Sequence, residues 1–88
     1  MAFAPEQYTR NPTTVTAVLL TVENAEEVAS WCSGEVVEEE DGGTPVGIDI
    51  WSSAGEMFAE VGDWVIQNGA FFLPCKPDLF AQDYTAVA

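Results

Sequence analysis

The chain contains no histidine, and its 88 residues include only two bases, Arg10 and Lys76. Without imidazole, the nucleophile–base–orienter arrangement of hydrolases and every His-containing metal site are excluded. Two cations displace few counterions from a phosphate backbone, so direct nucleic-acid binding is excluded as a function, and an anionic membrane surface would repel the chain. Apolar runs extend over a few residues, far below the roughly 20 that span a bilayer. The segment MAFAPEQYTR lacks a basic region followed by an apolar one, so no secretory signal is read and a cytosolic location is expected. Cysteine is also scarce. Cys32 and Cys75 are too few for a disulfide-stapled scaffold and lack metal-site spacing, and they are expected as reduced, packed thiols. The glycines form neither GxGxxG nor a phosphate loop ending in Lys, so no cofactor is implied.

What is present is acid and apolar surface together. Fifteen Asp or Glu set the net charge at −13, while 48% of residues are hydrophobic and 11% aromatic. Disordered acidic chains lack such apolar content, so a core is expected. A chain this short builds one, and residues 1–88 are read as a single domain.

Residues 1–12 read as a lead-in, with Pro5 and Pro12 restricting the backbone. Thr13 to Val22 is β-branched and apolar on both faces: Val15, Ala17 and Leu19 point one way, Val18, Leu20 and Val22 the other. That pattern predicts a central strand covered on both sides. Asn24 is a good N-cap with Glu27 three residues on, as in a capping box, and predicts a helix over about residues 24–33. Ala25, Val28, Ala29 and Cys32 share its apolar face, with Trp31 beside them. Glu26, Glu27 and Ser30 take the wet side, and Gly34 is the expected stop.

Glu35 to Glu39 reads as a short strand, followed by an acidic glycine loop over residues 40–45. Val46, Ile48 and Ile50 alternate with Gly47, Asp49 and Trp51, a strand with one apolar face. Met57, Ala59 and Val61 alternate with Phe58 and Glu60 before a Gly62-Asp63 turn. Asn68-Gly69 predicts a two-residue hairpin turn, which places Ile66 opposite Phe71 and Trp64 opposite Leu73. Trp64, Ile66, Phe71 and Leu73 then form the core face, and Pro74 ends the pairing. Pro77 suits the first turn of a short C-terminal helical segment, with Asp78 at its favourable end and Phe80 and Tyr84 four apart. Thr85 to Ala88 is a candidate edge strand. The expected fold is α+β: a mostly antiparallel, curved sheet, one main helix and a short C-terminal helical turn.

Paired carboxylates are the remaining route to catalysis, but fifteen acids place some pair together by chance, and no enzyme is read. Glu38, Glu39, Glu40 and Asp41 beside Gly42 and Gly43 supply hard oxygen ligands without the alternation of a calcium loop, which makes a solvated turn the plain reading. The charge invites comparison with DNA. Thirteen net charges over roughly 5,000 Å² average about one per 400 Å². A duplex, taken as a cylinder of about 10 Å radius, carries about one per 100 Å². Only a local stripe approaches that density, and eight of the fifteen acids lie between Glu23 and Asp41. Trp51 and Phe72 fall on the outer faces of their strands. Exposed aromatics on an acidic surface suit anchors for a partner protein; the alternative is packing beneath a loop, a helix or another protomer in a homo-oligomer.

Tyr8-x-Arg10-x-Pro12 followed by Val15-x-Ala17 is similar to the YRKKPV-type strand of small phage and prophage proteins. Gly62-Asp63-Trp64-Val65-Ile66, Gly69, Phe72, Cys75-Lys76-Pro77-Asp78-x-Phe80 and Tyr84 resemble the same family's PGDYI, G-x-F, CKPDIF and tyrosine motifs. Asn24, Val28 and Trp31 fit its short helix. Val61 stands where the family has proline, Arg10 alone remains of its basic N-terminal cluster, and Glu35–Gly47 has no family counterpart. The resemblance implies a phage-encoded accessory protein without catalysis, acting in the host cytoplasm. With it, the leading expectation is a non-enzymatic protein that binds and modulates a host protein, its interface drawn from Trp51, Phe72, Glu38, Glu39, Glu40 and Asp41. The alternatives are an acidic decoy of a nucleic-acid-binding protein and a minor virion or assembly component. Gly62, Asp63, Trp64, Cys75, Lys76, Pro77, Asp78, Phe80 and Tyr84 read physically as structural, a turn entering a hairpin and a Pro-initiated helical turn capping the core.

Overall fold

The computed structural model describes residues 3, 5–10, 13–40, 42–52 and 55–86. The β-branched run Thr13–Leu19 forms β2, between β1 (Glu6–Arg10) and β6 (Trp64–Asn68). β7 (Phe71–Cys75) and β8 (Thr85–Ala86) complete a five-stranded sheet in the order β7-β6-β2-β1-β8. β3 (Glu35–Glu38), β4 (Pro45–Ser52) and β5 (Gly55–Glu60) form a second sheet in chain order. The ladders within both sheets are antiparallel. Two helices, α1 (Ala25–Cys32) and α2 (Pro77–Asp83), complete a small α+β domain. The expected curved sheet is thus divided in two.

β2 carries a core on each face, as its two-sided apolar pattern requires. Val18 and Leu20 join Val28, Cys32, Ile48, Ile50, Ala59 and Val65 in one cluster, which α1 and the inner face of the small sheet enclose. Val15 and Ala17 join Ile66 and Phe80 in the other, beneath α2. Fully burying a Val, Leu or Ile side chain contributes about 1.5–3 kcal/mol, so these clusters hold short helices that would not persist alone. Along α1, Ala25, Val28, Ala29 and Cys32 are buried and Glu26, Glu27 and Ser30 exposed, as their spacing predicts.

Several local expectations are corrected. The lead-in contains β1, whose Tyr8 pairs with Val15 and packs edge-on against Phe80 and Trp64, a contact with residues far along the chain. Asn24 precedes α1, but its side chain makes no capping bond. Instead its Oδ1 accepts the Thr21 N–H at 2.8 Å and its Nδ2 donates to the Leu19 carbonyl at 2.9 Å, which ties the strand exit to the helix entry. At the other end Ser33 takes the left-handed conformation expected of Gly34 (φ 57°). Gly34 answers a different need: a Cβ there would lie 2.5 Å from the Asp49 carbonyl oxygen, so it lets β4 approach.

The hairpin register moves by two residues. Asn68 pairs with Phe71, Ile66 with Leu73 and Trp64 with Cys75, and Gly69 and Ala70 form the turn. Gly69 has φ 64° and Ala70 lacks positive φ, which matches a type II′ turn rather than the Asn-Gly type I′. Because the pleat repeats every two residues, this shift preserves both faces of the hairpin. It does carry Phe71 out to the tip, 62% exposed, and puts Leu73 beside Ile66 in the core. Pairing also runs through Pro74, which is tolerated because β7 is an edge strand.

Candidate functional site

The residues of the two strongest motifs come together at the junction of the sheets. Gly62 adopts φ 103°, a conformation only glycine takes without strain, and so turns β5 into β6. Around it, the Val61 N–H donates to the Val46 carbonyl in the small sheet, while Gly62 N–H donates to Leu20 and the Leu20 N–H donates to Asp63. The turn is therefore stitched to both sheets. Asp63 is buried, and its Oδ2 accepts the Glu60 N–H at 3.0 Å and the Lys76 ammonium at 3.2 Å. Lys76 also reaches Glu60 Oε1 at 3.5 Å. The hydrogen bond and charge of Asp63, with a smaller contribution from Glu60, raise Lys76 above the ordinary lysine value. Lys76 then caps α2 from an extended conformation, with Pro77 in the first turn, and its carbonyl accepts the Phe80 N–H.

The motif aromatics pack below this seam. Phe80, 4% exposed, stacks on Trp64 with centroids 4.0 Å apart and planes 7° from parallel. It also stacks on Tyr84 at 4.9 Å, and Tyr8 meets it edge-on at 4.7 Å. Cys75 packs on the same cluster, and Asp78 lies exposed in the first turn of α2. Gly62, Asp63, Trp64, Cys75, Lys76, Pro77, Phe80 and Tyr84 thus have structural work that accounts for their spacing. Among the described residues no buried side-chain nitrogen or oxygen lacks a partner, so no orphaned group marks a ligand there.

The residues expected at an interface are not brought together. Glu38, Glu39 and Glu40 are exposed at the hairpin between β3 and β4, where Glu39 and Thr44 close the loop at 2.9 Å. Asp41 lies outside the described residues. Trp51 is 52% exposed near the opposite end of β4, roughly 20 Å away at the rise of a strand. Phe72 is not an exposed anchor: it is half-buried, with its ring 5.0 Å from Trp31 in an edge-to-face contact. The two-faced core explains this, because the hairpin face opposite Trp64 and Ile66 is covered by the small sheet and by Trp31 of α1.

A different set gathers around Trp51 on the outer face of the small sheet. Residues paired across strands share a face, and the pairs Trp51–Glu56, Asp49–Phe58 and Glu35–Asp49 lie opposite buried Ile48, Ile50 and Ala59. Phe58 is 46% exposed, and its ring lies across Gly47, where any Cβ would collide with it and with the Ala59 carbonyl. The glycine thereby fixes an exposed ring in place, an aromatic cover over a strand glycine. Three carboxylates crowd the same face. The charge of Asp49, then partial desolvation, a hydrogen bond to Asp49 and the charge of Glu35 hold the Glu56 carboxyl above its ordinary value. The sequence alternation had placed Asp49 and Trp51 opposite the apolar face of β4 and separated Phe58 from Met57 and Ala59 in β5; the missing information was that β4 and β5 bring the three side by side.

Cys32 is buried in one cluster and Cys75 packs on the other, with no disulfide between them. Burial pushes the Cys32 thiol up, away from reactive thiolate. Among the described residues no three acidic or thiol groups are arranged to hold a metal, and no helix is long and apolar enough to cross a membrane. Comparison of the chain with protein-family models, with curated proteins and with solved structures returned no match.

Proposed function

We propose that this protein is a non-enzymatic phage accessory protein that binds and modulates a host protein in the host cytoplasm. The phage attribution rests on the motif resemblance from Tyr8 to Tyr84. The binding reading rests on one observation above others: Trp51 and Phe58 stand half-exposed on a sheet face with acidic neighbours, while the motif residues are used up in the seam and the aromatic stack. Monomeric proteins seldom expose large rings in this grouping unless something covers them. The missing histidine and, among the described residues, the pairing of every buried side-chain nitrogen and oxygen support a role without catalysis.

The decoy reading is weaker on charge density. Thirteen net charges over 5366 Å² amount to about one per 410 Å², a fourfold dilution relative to a duplex. The proposal is tested by affinity purification from host cells expressing the tagged chain, alongside a Trp51→Ala variant with unchanged thermal unfolding. A host protein recovered with the parent and depleted with the variant is expected. Recovery of the chain in purified particles at fixed stoichiometry would instead favour a virion component.

A further inference from the structure

We infer that the outer face of β3–β5 docks an arginine-bearing segment of a partner protein, whose guanidinium groups stack on Trp51 and Phe58 and pair with Asp49, Glu35 and Glu56. The inference rests on the binding reading above and names the chemistry of its partner.

The face carries two exposed rings and three carboxylates in adjoining cross-strand positions: Trp51 beside Glu56, Phe58 beside Asp49, and Asp49 beside Glu35. Each ring thus has a carboxylate directly across the ladder, within about 4.5–5.5 Å between Cβ atoms. A guanidinium satisfies both at once, because its plane lies on an aromatic face while its edge forms paired hydrogen bonds to a carboxylate. An ammonium supplies the charge without the plane. Among the described residues no cation is paired with these carboxylates: the nearby base, Lys76, is engaged at the border of the face with Asp63 and Glu60. Their mutual repulsion, visible in the raised proton affinity of Glu56, is relieved when a cation enters.

The same charges argue against a second copy of the chain. A two-fold contact through this face would set its carboxylates against their own equivalents, on molecules that each carry −13. Phosphate-bearing partners are opposed in the same way. The Phe58 ring is also prepared for contact, since it lies seated across Gly47 and less ordering is left to the moment of binding.

Titration of the isotope-labelled full-length chain with nona-arginine, followed by heteronuclear NMR at about 150 mM salt, tests this directly. The Trp51 indole N–H and the amides of β4 and β5 should shift, while the Trp31 and Trp64 indoles stay in place. Trp51→Ala should weaken binding by about tenfold, as loss of an aromatic anchor does. Asp49→Asn should weaken it severalfold, and nona-lysine should bind the same face less tightly. Glu38→Gln combined with Glu39→Gln, which removes equal or greater charge elsewhere, should change affinity by less than about twofold given screening. Shifts spread over residues 23–40, equal affinity for nona-lysine, or an unaltered constant for a folded Trp51→Ala chain would overturn the inference. Failure of the broader reading is separable. A parent bait that recovers nothing from host cells refutes binding altogether, whereas one that recovers the same protein with and without Trp51→Ala and Phe58→Ala refutes this face alone.

Discussion

Replacing Asp63 separates the contributions within the seam. Its carboxylate is only 6% exposed and accepts two bonds at Oδ2, one from the Glu60 backbone at 3.0 Å and one from Lys76 at 3.2 Å. These are unequal. A hydrogen bond from a backbone N–H to a buried charged acceptor contributes about 1.5–3 kcal/mol. The Lys76 end of the ion pair is 61% exposed, so solvent screens it and its share is small. Asp63→Ala should therefore cost about 2–3 kcal/mol, mostly through the lost backbone bond. A chain of this size has roughly 4–13 kcal/mol in total, and the thermal midpoint should fall by about 10–20 °C. Asp63→Asn keeps an acceptor for the Glu60 N–H and should lose about half as much. Lys76→Met should lose a minor fraction. Urea and thermal unfolding at neutral pH, followed by tryptophan fluorescence, measure the order. Lys76→Met as damaging as Asp63→Ala would refute the reasoning, because the ion pair and not the backbone bond would then hold the seam. Asp63→Asn that folds normally yet abolishes partner binding would move the motif from structure to function.

Phe80→Ala should cost about 3–5 kcal/mol, since the ring is buried and stacked on Trp64 and Tyr84; near-ultraviolet circular dichroism should collapse with it. Gly47→Ala should destabilise by about 1–3 kcal/mol, because its methyl group displaces Phe58 and the β5 backbone; an unchanged urea midpoint would contradict the packing. Lys76 has a raised folded value, so its stabilising contribution is fully present below the ordinary value near 10.5 and is lost as pH rises through the higher folded one. The parent should accordingly lose stability more steeply than Lys76→Met in that alkaline window, and equal slopes in pH-dependent denaturation would count against the pair. Cys32 should resist thiol reagents until the chain unfolds, as mass spectrometry after timed alkylation would show.

Much of the fold was legible because burial leaves a period in the residues. The two-sided run in β2 required a core on each face, and the helical spacing of Ala25, Val28, Ala29 and Cys32 marked the buried side of α1. Asn24 shows the limit of such reading. As a residue type it signals a helix start, yet its side chain serves the turn before the helix, because Thr21 and Leu19 offer partners at closer reach. Asn68-Gly69 is similar: local chemistry favoured one turn, and the chain instead turns at Gly69-Ala70, which moves the register by two residues and sets Leu73 opposite Ile66.

For the candidate site, the sequence by itself determined the ingredients: an excess of acid, no imidazole, spare aromatics, and motif residues whose roles are structural. Alternation in β4 even determined which of its side chains face outward, since a strand has only two faces, and in β5 it sorted the residues into two sets. Tertiary structure alone decided which of them meet. It packed Phe72 against Trp31, left the acidic turn at the far end of β4 from Trp51, and set Phe58, Asp49 and Glu56 around that ring. The reason is that a strand's faces are a local property of the pleat, whereas its neighbours depend on cross-strand register. Register is fixed by contacts between residues distant in the chain, and no single segment records them.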